Sequence, residues 1–289
     1  MRSPVALARR VASRAKANAG PDADPLPAAG YPPGAPAGPV EQLDDDELAL
    51  VNGLLPWQCF TVDSQGRRFG DRAWTGKRDV PQDIPDWRVG VAVERFGGLA
   101  DKSVLEIGCF EGVHTIALCR QARQVTAVDS HLVNVVKTVV RCNLYGHQPV
   151  VYPANVEDWA EDPGLAYDVV FHVGVLYHLH DPAAHVARLG RVAQVGLLLD
   201  THVARDEQAT ETMSVGGREL RYHRYEERVG PGSVFAGMDP ESRWLRLDDL
   251  VSLLEDAGFP SVEVVDQRDE RNGRRVTLAA TKSRAHGLS

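Results

Sequence analysis

The chain predicts a doubly wound α/β fold built on a mostly parallel, seven-stranded sheet. Three observations carry that expectation. Short apolar stretches of strand length recur between longer helix-forming segments. The first two are joined by a tight turn between Gly108 and Gly112. The series closes with two strand-like segments on either side of Asn272-Gly273, a hairpin signal.

In order, residues 41–55 read as a short acidic helix with Leu43, Leu48, Leu50 and Val51 on one side. Residues 57–66 and 71–87 are aromatic and turn-rich, and are expected to cover the ligand-facing edge. A helix at 89–96 leads into the first strand, 103–107, whose β-branched, apolar composition suits a strand buried on both faces. A helix at 115–122 precedes the second strand, 125–129, and a long helix at 131–145 is stopped by Gly146. The third strand is 149–152 and the fourth 167–174. A helix at 182–192 carries Pro in its first turn, and the fifth strand is 194–201. From 202 to 244 the pattern loses its period and gains charge, glycine and tyrosine, which marks an insertion or lid. A helix at 247–257 with early carboxylates ends at Gly258, and 262–266 and 275–280 are the last two strands. No internal repeat is visible. The expected organisation is a disordered tail at 1–40, a cap segment at 41–98 and the main domain at 99–289 with its lid at about 202–244.

Composition narrows the partners. A formal charge of −8 over 289 residues and a pI near 5.7 give no global pull toward phosphate backbones, so nucleic acid is disfavoured as a partner though a local basic patch stays possible. The four cysteines lack C-x-x-C spacing, which implies neither zinc nor a disulfide framework, and no His/Asp/Glu spacing suggests another metal. Without a signal peptide or a long apolar span the expectation is a cytoplasmic protein with no membrane contact. The first forty residues combine Arg2, Arg9, Arg10, Arg14 and Lys16 with a Pro, Ala and Gly-rich stretch that cannot offset its own ordering entropy. An acid-poor, Arg-rich start also has the composition of a transit peptide, but the same bias runs through the whole chain.

The turn carries the chemistry. Val104-Leu-Glu-Ile-Gly-Cys-Phe-Glu-Gly112 ends a strand in an acid, Glu106, and turns through glycines that let a ligand approach the backbone. The next helix would aim free N–H groups at that ligand. Asp129, closing the second strand, is placed to accept hydrogen bonds from ribose hydroxyls. A dinucleotide site would need a central glycine where Phe110 stands and a third glycine that is missing. An acid before the turn also suits an amino-acid ligand better than a phosphate.

These residues resemble the class I S-adenosylmethionine-dependent methyltransferases, over about residues 99–282. The resemblance implies S-adenosylmethionine as cofactor. It places Glu106, Gly108, Cys109, Phe110 and Gly112 around the methionine part, Asp129 and Ser130 at the ribose, with His131 beside them, and Asn155, Val156 and Glu157 at adenine. Asn155 stands where the family more often has Asp, and Asn is also a common turn residue. Val173 and Gly174, ending the fourth strand, complete the cofactor set. The string Gly174-Val-Leu-Tyr-His178 is similar to that of the tRNA wobble-uridine carboxymethyl-type transferases and of related small-molecule methyltransferases. Tyr177, His178 and His180 would emerge where the methyl group reacts, with His178 the first choice of general base and His180 the second. His172, inside the fourth strand, is expected in the core or behind the site. His202, Tyr222, His223, Arg224 and Tyr225 belong to the lid. The expected function is methyl transfer to a small-molecule acceptor at oxygen, in a mostly apolar pocket under Trp57, Phe60, Trp74 and Trp244. The alternatives are tRNA modification and a non-catalytic S-adenosylmethionine-binding protein. The acceptor and the oligomeric state are not legible.

Overall fold

The computed structural model describes residues 39–70, 80–159, 165–230 and 233–282. Trp74 and most of the expected tail lie outside the described residues. The helix expected at 41–55 is two: α1 (Pro39–Gln42) and α2 (Asp45–Leu54). The break falls at Asp44, which accepts the Glu47 N–H at 2.8 Å while Glu47 accepts the Asp44 N–H at 3.0 Å, a reciprocal cap that starts a new helix. A two-stranded ribbon follows, β1 (Thr61–Val62) and β2 (Arg68–Phe69), then α3 (Trp87–Arg95).

The main sheet and its helices come next: β3 (Ser103–Ile107), α4 (Val113–Cys119), β4 (Gln124–Asp129), α5 (Leu132–Leu144), β5 (Val150–Pro153), β6 (Tyr167–Val173), a 3-10 turn at Leu176–His178, α6 (Pro182–Val192) and β7 (Ala193–Val203). After the small strands β8 (Glu211–Val215), β9 (Arg218–Glu226) and β10 (Glu241–Leu245) come α7 (Leu247–Asp256), β11 (Ser261–Glu270) and β12 (Gly273–Thr281). The seven-stranded sheet has the order β11-β12-β7-β6-β3-β4-β5. Its five central and outer β/α strands are parallel, and β12 runs antiparallel to both β7 and β11. Because strand side chains alternate, Leu105 and Ile107 face one core with α6 and α7, while Val104 faces a second with α3 and α4. Both faces of the sheet are therefore covered, and the parallel strands are mostly apolar.

Two local expectations change. The hairpin loop is Arg271-Asn272, one residue earlier than expected, because Gly273 already pairs with Glu270. A Cβ at Gly273 would come within 2.9 Å of the Trp244 ring, so the glycine serves packing as well as the turn. The aperiodic segment folds as an antiparallel sheet, β10-β9-β8, with β8 and β9 joined at Gly216-Gly217. Only Leu220 and Tyr222 of β9 are buried, too short an alternation to read as a strand by period alone. Among the described residues no helix is long and apolar enough to cross a membrane.

The N-terminal segment is fastened to the sheet by a buried charge cluster. Glu111, in the glycine turn, accepts the N–H groups of Gln58 and Cys59 at 2.8 and 3.1 Å and pairs with Lys137 at 2.6 Å and Arg141 at 3.4 Å. The Arg141 guanidinium also lies 4.8 Å from the Trp57 ring and 4.9 Å from that of Phe69. All three charged side chains are fully buried, so removing one partner would strand a charge at a cost of about 3–5 kcal/mol.

Candidate cofactor and active site

The carboxyl ends of β3, β4 and β6 open into a cavity of about 990 Å3. One wall comes from the glycine turn. Gly108 has φ +82°, and a side chain there would collide with that of Val175. Phe110 holds φ +50°, a left-handed conformation that costs a non-glycine residue energy. Its N–H offsets part of that cost by donating to Asp129 Oδ2 at 3.0 Å, and Thr138 Oγ1 donates to its carbonyl at 3.2 Å. Asp129 Oδ1 accepts the His131 N–H at 2.9 Å and Asn134 Nδ2 at 3.1 Å. Three of roughly four acceptor positions are thus taken within the protein. Burial raises the Asp129 carboxyl above the usual carboxylate range, against the pull of those three donors.

Of the residues expected at the cofactor, Gly108, Cys109, Phe110, Asp129, Ser130, Asn155, Val156, Glu157, Val173 and Gly174 line the cavity. Glu106 and Gly112 do not. Glu106 is buried beneath the turn, where Thr115 Oγ1 donates to it at 2.5 Å, and burial pushes its carboxyl up to about 8. Gly112 lets α4 approach α5: a Cβ would sit 3.2 Å from the Thr138 backbone. Asn155 spends its amide locally, accepting the Glu157 N–H at 3.2 Å and donating to Asp158 at 3.0 Å.

The opposite wall begins with the 3-10 turn after β6, where Tyr177 and His178 both face the cavity. His178 Nδ1 lies 2.8 Å from Glu227 Oε1, and Glu227 also accepts Ser242 Oγ at 2.9 Å and the Gly237 N–H at 3.3 Å. His178 Nε2 makes no hydrogen bond among the described residues and is not sealed in the core. His180 points elsewhere: it does not line the cavity, and its Nε2 is 3.0 Å from Arg243 Nη2. Tyr177 packs on His178 and His202 with ring centroids 4.1 and 4.6 Å apart. Trp244 is stacked between His202 at 5.0 Å and Tyr225 at 4.8 Å. His172 is in the core as expected, with its Nε2 3.0 Å from that of His185.

The expected aromatic cover forms only in part. Trp57 and Phe60 are buried away from the cavity, leaving Trp244 as its wall among the described tryptophans. Arg88, Arg228, Arg271 and Arg275 line it as well, with Glu227 and Glu270, beside apolar side chains such as Phe110, Val175 and Leu179. Asp200, in the C-terminal half of β7 and fully buried, organises this wall. It accepts Arg275 Nε at 2.5 Å, Thr277 Oγ1 at 2.6 Å, Arg268 Nη2 at 3.1 Å and Arg88 Nη1 at 3.3 Å. Burial alone would raise its carboxyl; the Arg275 and Arg88 charges outweigh that and hold it below the usual range. Asp200, Glu227, Arg88 and Arg275 escaped the sequence reading. A signal existed for Asp200, since Leu197-Leu-Leu-Asp200 is an apolar strand ending in an acid, the same pattern as at Asp129.

A doubly wound sheet with an antiparallel terminal strand, a glycine turn after its first β/α strand and a carboxylate closing the second defines the class I S-adenosylmethionine-dependent methyltransferases. The site fits that cofactor: backbone without side chain at Gly108, spare acceptor capacity on Asp129, and a cavity of adequate size. The sequence profile of a methyltransferase domain matches residues 88–264, and the chain belongs to this family. S-adenosylmethionine is its cofactor. The chain is 26% identical over 232 residues to a tRNA U34 carboxymethyltransferase of Marinobacter nauticus, covering 78% of this chain and 62% of that protein. It is 30% identical over 245 residues to one of Alteromonas mediterranea, covering 79% and 64%. The chain thus spans less than two thirds of the length of these curated relatives. Among solved structures, the N-terminal domain of EvdMO1 with SAH bound superposes with a TM-score of 0.67 at 25% identity, covering 83% of this chain and 98% of that one.

Proposed function

We propose that this protein transfers the methyl group of S-adenosylmethionine to a hydroxyl of a small-molecule acceptor, with His178 as general base. When bound, the cofactor supplies an already activated methyl group on a sulfonium, so the protein's task is to position the acceptor and remove its proton. The observation that carries the reading is His178 itself. It stands in the turn after the carboxyl end of β6, facing the same cavity as Gly174, with Nδ1 held by Glu227 and Nε2 left for the cavity. Asp129 and the backbone at Gly108 and Ser130 hold the ribose and methionine parts, Asn155 to Glu157 border adenine, and Tyr177 flanks the reacting group. Residues 202–244 act as the lid and 41–98 as the N-terminal cap.

A second reading, modification of tRNA, draws on the activity named for the relatives and on Arg228, Arg271 and Arg275 at the cavity. The net charge of −8 opposes it. Incubation with methyl-labelled S-adenosylmethionine and, separately, a small-metabolite extract or bulk tRNA distinguishes the two. Label in a low-mass, nuclease-resistant product is expected, whereas label confined to nuclease-sensitive material overturns the small-molecule reading. With the labelled acceptor identified, His178→Ala is expected to lower turnover about 10²–10⁴-fold while SAH affinity changes less than about twofold. Unchanged turnover removes His178 from the chemistry.

A further inference from the structure

Glu227 stands between two parts of the site that the chain supplies separately. Asp129 is held by the His131 N–H and by Asn134 Nδ2. The same two residues also hold the segment 233–238: His131 Nε2 is 3.0 Å from the Ala236 carbonyl, to which it donates, and Asn134 Nδ2 donates to the Val234 carbonyl at 3.2 Å. Phe235, between them, lays its ring 5.0 Å from that of Phe110 in the glycine turn. The next residue, Gly237, gives its N–H to Glu227 Oε2 at 3.3 Å. Gly237 also packs so closely on the His178 carbonyl that any side chain would collide with it. Glu227 Oε1 receives His178 Nδ1 at 2.8 Å and Ser242 Oγ at 2.9 Å. A continuous hydrogen-bonded path therefore runs from Asp129, through the covering segment, to the imidazole.

We propose that Glu227 is the positioning residue of His178, and that docking of residues 233–238 over the cofactor side sets Glu227 in place. This rests on the reading of His178 as the base. A carboxylate accepting from Nδ1 keeps the hydrogen of the neutral ring on that nitrogen and the lone pair on Nε2, the atom left for the cavity. It also favours the imidazolium formed when the ring takes a proton from the acceptor, which Nε2 receives as the acceptor oxygen bonds to the methyl carbon and the carbon–sulfur bond breaks. Because the covering segment leans on the residues that hold Asp129, ligand at Asp129 and alignment of His178 favour each other.

The test reads the ring directly and needs no acceptor. Histidine-selective 15N NMR, at a pH above the ordinary histidine range, reports the tautomer of His178 with saturating SAH. The wild type is expected to show hydrogen on Nδ1. Glu227→Ala is expected to move it to Nε2, and Glu227→Gln, whose carbonyl still accepts, is expected to restore Nδ1–H. Glu227→Met keeps the length of the side chain and replaces Glu227→Ala should that variant not fold. Gly237→Ala is expected to weaken SAH binding at least tenfold and to lose the Nδ1–H form. An Nδ1–H ring in Glu227→Ala or Glu227→Met overturns the positioning role. An unchanged tautomer and SAH affinity in Gly237→Ala overturn the coupling to the covering segment. The base reading stands or falls separately, on the turnover of His178→Ala.

Discussion

The two walls of the cavity are built differently. The wall proposed for the methyl donor comes from short pieces: the turn at 108–111, the end of β4 and start of α5 at 129–134, the turn at 155–157 and the end of β6 at 173–174. The acceptor wall is assembled from Arg88 near the N-terminal segment, His178 after β6, Glu227 and Trp244 from the small sheet, and Arg275 from the last hairpin. One wall is backbone geometry fixed by glycines and a carboxylate. The other is side chains held by one another, through Asp200 and through the His202–Trp244–Tyr225 stack. With the site roles proposed above, such a division would leave donor recognition in the sheet and let acceptor choice vary with the inserted elements.

Substitutions can break that comparison. The largest effect is expected at Trp244→Ala, which empties the centre of a buried stack and should lower stability by about 3–5 kcal/mol in urea unfolding. At temperatures where the variant is folded, its affinity for SAH should stay within about twofold of wild type; a tenfold loss would show that the stack, and not only the covering segment 233–238, is coupled to the donor side. Acid should act on both walls together through the sheet beneath them. Burial lowers His172 from its ordinary value to about 4, and His185 well below its own. At His172 the unfolded chain then binds a proton below pH ~6.5 that the folded chain refuses until pH ~4. Stability should fall as pH drops through that window, by on the order of 3 kcal/mol for His172 alone. His172→Phe should flatten that part of the pH dependence measured by thermal unfolding.

Smaller changes belong to the donor wall alone. Gly108→Ala must take a left-handed backbone and drive a methyl into Val175, and about a hundredfold loss of SAH affinity, roughly 2.7 kcal/mol, is expected by calorimetry. Asp129→Asn removes charge while keeping shape, and about a tenfold loss is expected. An affinity unchanged by both would place the cofactor elsewhere in the cavity.

The donor wall was largely legible because its signals are local. An apolar strand, two glycines and a closing acid lie within about two dozen residues, and ten of the twelve residues expected at the cofactor do face the cavity. The two that do not, Glu106 and Gly112, sit at the right places in the chain. Strand alternation turns one under the sheet end, and helix packing claims the other. On the acceptor wall Tyr177 and His178 after β6, His202 and Tyr225 of the lid and Trp244 of the aromatic cover were legible, and each faces the cavity. Glu227 lies forty-nine residues from His178 in a segment without period, and no spacing rule pairs them. His180, two residues on, was drawn to Arg243 by the same small sheet.

The sequence by itself determined the α/β class, the order of strands and the chemistry of the donor, since these follow from periodicity and from the few residues that permit a tight turn. Only the tertiary structure decided which histidine meets a carboxylate, which arginines reach the cavity and what covers the cofactor side. Those choices depend on contacts between distant segments, and distance along the chain carries no record of them.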